Sequence, residues 1–468
     1  MHLELIRTIL SAFPKLNVLN MTSLPLVSHS SLESIIAWRN ESPVTLGQFL
    51  TDVDRLISRF PTGSHMLNMC SDRYYFSVGL AAAIVTHKIS LLPSTHTPEV
   101  IRQIKAYAPD VFCLTDNEHC TVDLPQLQYP VMAVNDTTSS IIPQIDSQQC
   151  IAIVFTSGST GSPQPHAKTW GSLVSSVQAE ALRIGLEHHS ATTLIGTVPA
   201  QHMYGLESTV LIAWLTGNAL CNAQPFYPAD ICQTLTTLPA PRVLVSSPVH
   251  LRALLDADLV LPDIAQLICA TAPLPIQLAH DIESHCNATL YEIYGSTETG
   301  LIATRRSTKT EQWQLLPEIS LIVKDNSVYA YGGHVETLTI MNDVLEIITK
   351  EHFLLHGRIA DMVNIAGKRH SLTSLNHILN NIPGVIDGVF YMPDDTNNER
   401  VTVRLAACVV APELDSTQLL AVLREHISPV FLPRPLLFVD ALPRNETGKL
   451  SRASLQSLFQ KTHQRKSA

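Results

Sequence analysis

Ile151-Ala-Ile-Val-Phe155 runs directly into Thr156-Ser-Gly-Ser-Thr-Gly161, and these eleven residues say most about the fold. Five consecutive apolar residues read as a strand buried on both faces. Hydroxyls and two glycines at its end form a loop suited to a polyphosphate: glycines let backbone N–H groups approach, and hydroxyls donate to phosphate oxygens. The loop lacks the GxxxxGK[ST] spacing of a Walker A motif.

Outward from this segment the pattern repeats. Thr193–Gly196, Arg242–Val245 and Gln266–Ala270 read as further buried strands. Leu173–Leu186 and Ser247–Leu255, the second opening near Pro248, read as helices. Strand–helix alternation on this scale predicts an α/β fold with largely parallel sheets. Near residue 357 the pattern changes. A helix over Ser371–Asn381 stops at Pro383–Gly384; a strand over Val401–Val410, a helix over Gln418–Ile427 and a short strand over Pro435–Val439 follow. The division expected is a large N-terminal domain over 1–357 and a small α+β domain over 358–468, with the boundary at Gly357–Asp361.

Composition narrows the function. With 468 residues, 45% hydrophobic and 15% charged, the chain is globular and long enough for more than one domain. The nine cysteines form no CxxC pair, and the twenty histidines form no HExxH spacing, so neither a disulfide framework nor a zinc site is expected. A net charge of −10 argues against nucleic-acid binding, although residues 358–468 carry +3 against −13 for the rest. Apolar runs such as Gly79–Val85 are far too short to span a membrane, and the N-terminus has no cleavage signature, so a cytoplasmic protein is expected.

Three further segments carry chemistry. Tyr291-Glu-Ile-Tyr-Gly-Ser-Thr-Glu-Thr-Gly300 sets a Thr beside a Glu, a pair able to hold a phosphate and a Mg²⁺ ion. His356-Gly-Arg-Ile-Ala-Asp361 offers a guanidinium fork to ribose hydroxyls at the domain joint. Leu442-Pro-Arg-Asn-Glu-Thr-Gly-Lys449 places a lysine on a glycine-bearing turn. Alone, these segments read as a turn with a solvated Glu298, a linker with a solvated Arg358 and a solvated surface lysine.

Taken together and in this order, the four segments resemble the adenylate-forming superfamily of acyl-CoA synthetases, aryl-acid ligases, adenylation domains and luciferases. The likeness covers nearly the whole chain; Val44–Phe60 and Asp72–Pro93 resemble the family's early helices and strands. It implies layered β-sheets flanked by helices in the large domain, and a mobile C-terminal domain on a hinge. It also implies activation of a carboxylic acid by ATP and Mg²⁺ to an acyl-adenylate, then transfer to coenzyme A or to the phosphopantetheine of an acyl carrier protein. By this resemblance Thr156, Ser157, Gly158, Ser159, Thr160 and Gly161 embrace the β- and γ-phosphates. Thr271, Ala272 and Pro273 lie against adenine, and Tyr294 stacks on it, followed by Gly295 and Ser296. Thr297 contacts the α-phosphate, Glu298 holds the metal, and Asp343 and Arg358 bind the ribose. His202, Met203, Tyr204 and Gly205 border the acyl group, Gly367 and Arg369 line the thiol tunnel, and Lys449 serves the adenylation step.

The chain departs from the family pattern in places. The phosphate loop usually continues Pro-Lys-Gly; here it continues Pro163-Gln-Pro165, with Lys168 further on. The usually acidic hinge position is Ala360, and Met341-Asn342 replaces Thr-Gly before Asp343. Pro199–Glu207 has no carboxylate for a substrate ammonium before Glu207 itself, which favours an aryl or fatty acid over an amino acid. The Gln164-Pro165-His166 variant and the short chain resemble AMP-ligases of aryl-polyene-type pathways. A catalytically silent nucleotide-binding relative is the alternative, motivated by Gln164.

Overall fold

A computed structural model describes residues 22–93, 95–129, 141–157, 163–186, 192–325, 327–358, 362–365, 368–393, 404–444, 450 and 454–459. For Ser157, Arg358 and Arg369 it describes the backbone alone. Two sheets dominate. The first has six strands in the order Pro163–Thr169, Cys150–Ser157, Ile89–Leu92, His65–Asn68, Phe112–Thr115 and Gln126–Gln128. All its pairings are parallel except that of the first two strands, which form a hairpin. The second has eleven strands. Its parallel centre runs Thr289–Ser296, Gln266–Cys269, Arg242–Ser246, Thr193–Gly196, Ala219–Cys221 and Ile35–Arg39, with antiparallel strands at both edges. The central segments TLIG, RVLVS and QLIC are buried almost throughout, as expected for strands covered on both faces.

The helix Arg73–Val85 joins the two sheets. Asp72 caps it by accepting from the N–H groups of Tyr74 and Tyr75, and almost every residue is buried, so it is apolar all round instead of amphipathic. Its one charged member, Arg73, is 1% exposed and donates to four backbone carbonyls: Cys221 (3.2 Å), Ala223 (2.7 Å), Gly196 (3.0 Å) and Val198 (2.8 Å). These lie at and just beyond the C-terminal ends of two parallel strands, which Arg73 therefore ties together. The main core packs around this helix and the helix Trp170–Ile184.

The expected elements are present with small shifts. The helix expected from Leu173 begins at Trp170, because Thr169 caps it through the N–H of Ser172. The strand expected over Val401–Val410 is seen over Ala406–Val410; residues 401–403 lie outside the described residues. Beyond residue 357, the hairpin Met362–Ile365/Lys368–Ser371, the helices Leu372–Asn380 and Ser416–His426, and a three-stranded sheet enclose a separate core. The helix Leu372–Asn380 also packs on the strand His352–Arg358 of the large unit. Among the described residues no helix is long and apolar enough to cross a membrane.

Candidate functional site

Ligands in α/β sheets bind at the carboxyl ends of the parallel strands, and there Thr156, the Tyr291–Gly300 segment and the strands of Asp343 and Arg358 come together. Ser296 and Thr299 lock the turn that carries Thr297 and Glu298. The Ser296 N–H donates to Thr299 Oγ1, and the Thr299 N–H donates to Ser296 Oγ, each at 3.2 Å. Thr297 and Glu298 thus form the tip of a closed loop between the strands Thr289–Ser296 and Gly300–Arg305. Gly295 is required at its base: a Cβ there would lie 2.2 Å from the Gly300 carbonyl oxygen, at the point where the strand register shifts.

The phosphate-loop hairpin faces this tip. Thr156, next to last in its strand, has Oγ1 3.1 Å from His166 Nε2, and the same nitrogen lies 3.9 Å from Glu298 Oε1. Two segments separated in sequence by about 130 residues therefore meet through His166, which the sequence reading had noted only as a variant position. Thr156 and Glu298 both offer oxygen donors, the preference of a hard divalent cation. Gly158, Ser159, Thr160 and Gly161 lie outside the described residues.

The nucleoside candidates are also together. The Tyr294 hydroxyl donates to Asp343 Oδ2. Its ring packs against Trp313 and Phe353, with centroids 5.4 and 5.7 Å apart. Asp343 pairs in register with Arg358 across the antiparallel strands Asp343–Ile347 and His352–Arg358, which sets the two backbones side by side despite the 15-residue separation. Thr271 has φ +82° and a buried Oγ1 without a hydrogen-bond partner among the described residues. A β-branched residue in that conformation is a local strain of about 1–3 kcal/mol, and the orphan hydroxyl fits a site awaiting a polar ligand. Ala272 and Pro273 follow it.

At the acyl candidates the structure separates roles. His202 and Met203 are half-buried, at the start of the short helix Met203–Gly205. Gly205 allows close packing, since a Cβ there would lie 2.0 Å from the Pro199 carbonyl oxygen. The Tyr204 hydroxyl reaches the carbonyls of Ser246 (2.9 Å) and Ile268 (3.0 Å), so its polar end serves to tie two strands. Glu207, of open orientation in the sequence, is buried: Ser176 donates to its Oε1 at 2.7 Å. Beside it Ser208 donates to Glu180 Oε1 at 2.7 Å. The helix Trp170–Ile184 and the π-helix Leu206–Leu211 thus exchange two reciprocal Ser–Glu bonds, a clasp that sequence reasoning missed. The i, i+4 spacing of Ser176 and Glu180 on one helix face was its available signal. Gly367 and Lys449 lie outside the described residues; Arg369 occupies the hairpin strand Lys368–Ser371.

Comparison with known proteins agrees with the geometry. Residues 64–332 match the profile of the AMP-binding enzyme family, more than half of the chain, and the protein belongs to that family. In class it is an AMP-forming ligase. A 4-coumarate–CoA ligase of Rhodobacter capsulatus is 29% identical over 239 residues, 51% of this chain and 60% of that ligase. The mitochondrial acyl-coenzyme A synthetase ACSM2 of Rattus norvegicus is 25% identical over 422 residues, 78% of this chain and 72% of the synthetase. ATP-bound MatB of Rhodopseudomonas palustris superposes with a TM-score of 0.79 at 16% identity, covering 92% of this chain and 97% of MatB. The o-succinylbenzoate coenzyme A synthetase MenE of Bacillus subtilis, solved with ATP and magnesium ion, gives 0.75 at 17% identity, covering 91% of this chain and 97% of MenE. At such identities these structures establish the shared fold.

Proposed function

We propose that this protein activates a carboxylic acid with ATP, forming an acyl-adenylate and pyrophosphate, and then passes the acyl group to the thiol of coenzyme A with release of AMP. The observation that carries the reading is the meeting of Thr156 and Glu298 around His166, next to the Tyr294–Asp343 pair. One side suits phosphates and a cation, the other a nucleoside. The coenzyme A ligases among the relatives support the choice of thiol over a carrier protein.

The acid is aryl or fatty. Glu207 is the one carboxylate on the candidate acyl segment, and it is buried and engaged by Ser176. Burial also raises its pKa, which weakens it as a partner for a substrate ammonium.

In the first step a carboxylate oxygen attacks the α-phosphorus and pyrophosphate leaves. Two anions must approach, so the demand on the protein is electrostatic and positional. Asp343 and Arg358 hold the ribose, Tyr294 orients Asp343, and Thr297 contacts the α-phosphate from the locked turn. Bound Mg²⁺, held by Glu298, supplies charge neutralisation at the phosphates. Lys449 serves this step by neutralising charge on the reacting anions. In the second step the domain beyond residue 357 rotates, bringing Gly367 and Arg369 to the thiol.

The test is acid-dependent ATP–pyrophosphate exchange with benzoic, cinnamic, short-chain and long-chain acids, followed by thioester formation with coenzyme A or a loaded carrier protein. Exchange with one acid class, reduced about 10²–10³-fold in Glu298→Gln, supports the reading. Absence of exchange in a folded protein that binds ATP favours the silent-relative alternative.

A further inference from the structure

The strand Pro163–Thr169 carries a feature the reaction scheme does not use. Its side chains alternate: Pro165 and Ala167 are exposed, while His166 and Lys168 point inward on one face. Lys168 is only 8% exposed. A buried ammonium is costly unless opposite charges hold it. Here burial lowers its pKa, and the charges of three carboxylates, Glu207, Glu298 and Glu336, act against that shift without reversing it. Glu336 lies at the same strand end, accepting from Thr169 Oγ1 at 3.2 Å. Glu298 is reached through His166, two residues along the same face. Glu207 adjoins the base of the Glu298 turn, since a Cβ on Gly300 would lie 3.6 Å from its Oε1.

The arrangement has an electrostatic consequence. A triphosphate brought to Thr156 meets three carboxylates, and Thr156–Gly161 contains no cation. Gln164 pairs with Thr156 and is neutral; Lys168 pairs with Ala152, four residues further from the loop, and so does not occupy the loop position itself.

Resting on the reading above, we propose that Lys168 is a positioning cation that acts from behind the site, offsetting the charge of Glu207, Glu298 and Glu336 so that the β- and γ-phosphates can bind beside Thr156. It acts through the carboxylates and touches no phosphate. Its effect therefore scales with phosphate charge and depends on its own charge more than its shape.

The experiment is calorimetric titration of ATP and of AMP, each with Mg²⁺, into the full chain, with thermal melting as a check on folding. For Lys168→Met, ATP affinity falls about tenfold, the order a unit charge gives at roughly 12 Å and an effective dielectric of ~20. AMP, lacking the β- and γ-phosphates, weakens far less, and Lys168→Arg restores ATP binding. Glu207→Gln, which keeps an acceptor for Ser176, carries the same test in the opposite sense and tightens ATP relative to AMP. It decides the matter should the Met variant not fold. Equal weakening of ATP and AMP, or an unchanged ATP-to-AMP ratio in both variants, overturns the proposal. A wild-type protein that binds neither nucleotide instead overturns the proposed function on which this rests.

Discussion

Glu180 makes the stability of this protein depend on pH in a calculable way. Its side chain is fully buried, Ser208 donates to Oε1, and Oε2 has no hydrogen-bond partner among the described residues. Burial pushes its pKa from 4.5 up to about 8; the Ser208 bond opposes this, and the charge of Glu207 adds to it. The folded protein therefore holds a proton that the unfolded chain releases. Between about pH 4.5 and 8 the folded state binds more protons, so stability is full below that window and is lost as pH rises through it. At about 1.4 kcal/mol per pH unit, the loss amounts to roughly 5 kcal/mol by pH 8 and above. Glu180→Gln removes the titration, keeps an acceptor for Ser208 and gives the orphan position a donor. Thermal melting of both proteins from pH 5 to 9 reads the difference. The variant is expected to melt close to wild type at pH 5 and roughly 5–10 °C higher at pH 9, with the gap opening between. A gap that stays constant across the range refutes the claim that a buried, neutral Glu180 lies behind it.

Three other outcomes follow from named contacts. Tyr294→Phe frees Asp343 from its hydroxyl partner, and a hydrogen bond to a charged group is worth about 1.5–3 kcal/mol. ATP affinity, measured by titration, should fall roughly tenfold or more, and an unchanged affinity would remove Tyr294 from the ribose site. Arg73→Met leaves three buried carbonyls and one part-buried carbonyl without their donor and should destabilise the large domain by about 3–5 kcal/mol, read as a drop in melting temperature; a loss below about 1 kcal/mol would mean that water reaches them. Lys449→Ala should abolish pyrophosphate exchange yet spare thioester formation from supplied acyl-adenylate, and equal loss of both steps would count against the domain rotation.

What the sequence made legible, and what it hid, follow from how each contact is encoded. Strands such as Thr193–Gly196 and Arg242–Ser246 announce themselves because a parallel strand covered on both faces must be apolar throughout. Thr156, Thr297, Glu298 and Asp343 are candidates from sequence because they sit in contiguous segments whose order resembles a known family. The Ser176–Glu207 and Ser208–Glu180 clasp was not, because its members sit among other polar residues of their helices, such as Gln178 and Thr209. Such a residue reads as a solvent-facing interruption until a partner helix arrives. Lys168 was hidden for a related reason: strand alternation gives its face but not which carboxylates lie opposite, and two of the three come from segments over 120 residues away.

The hidden residues share one property that bears on function. Lys168, Glu180 and Glu207 are all buried titratable groups. A core built for stability alone would place apolar side chains there, since replacing buried ionic groups by hydrophobic ones is often neutral or stabilising. Their presence therefore argues for a field shaped toward the site. Glu207 and Lys168 offset each other behind Glu298, while Glu180, neutral at pH 7, adds no further negative charge. On this argument the clasp tunes how strongly the site repels a polyphosphate. Glu180→Gln, silent in charge at pH 7, should then leave ATP affinity unchanged there, whereas Glu207→Gln should not. If both variants shift ATP affinity alike, the clasp is a packing device and the field argument fails.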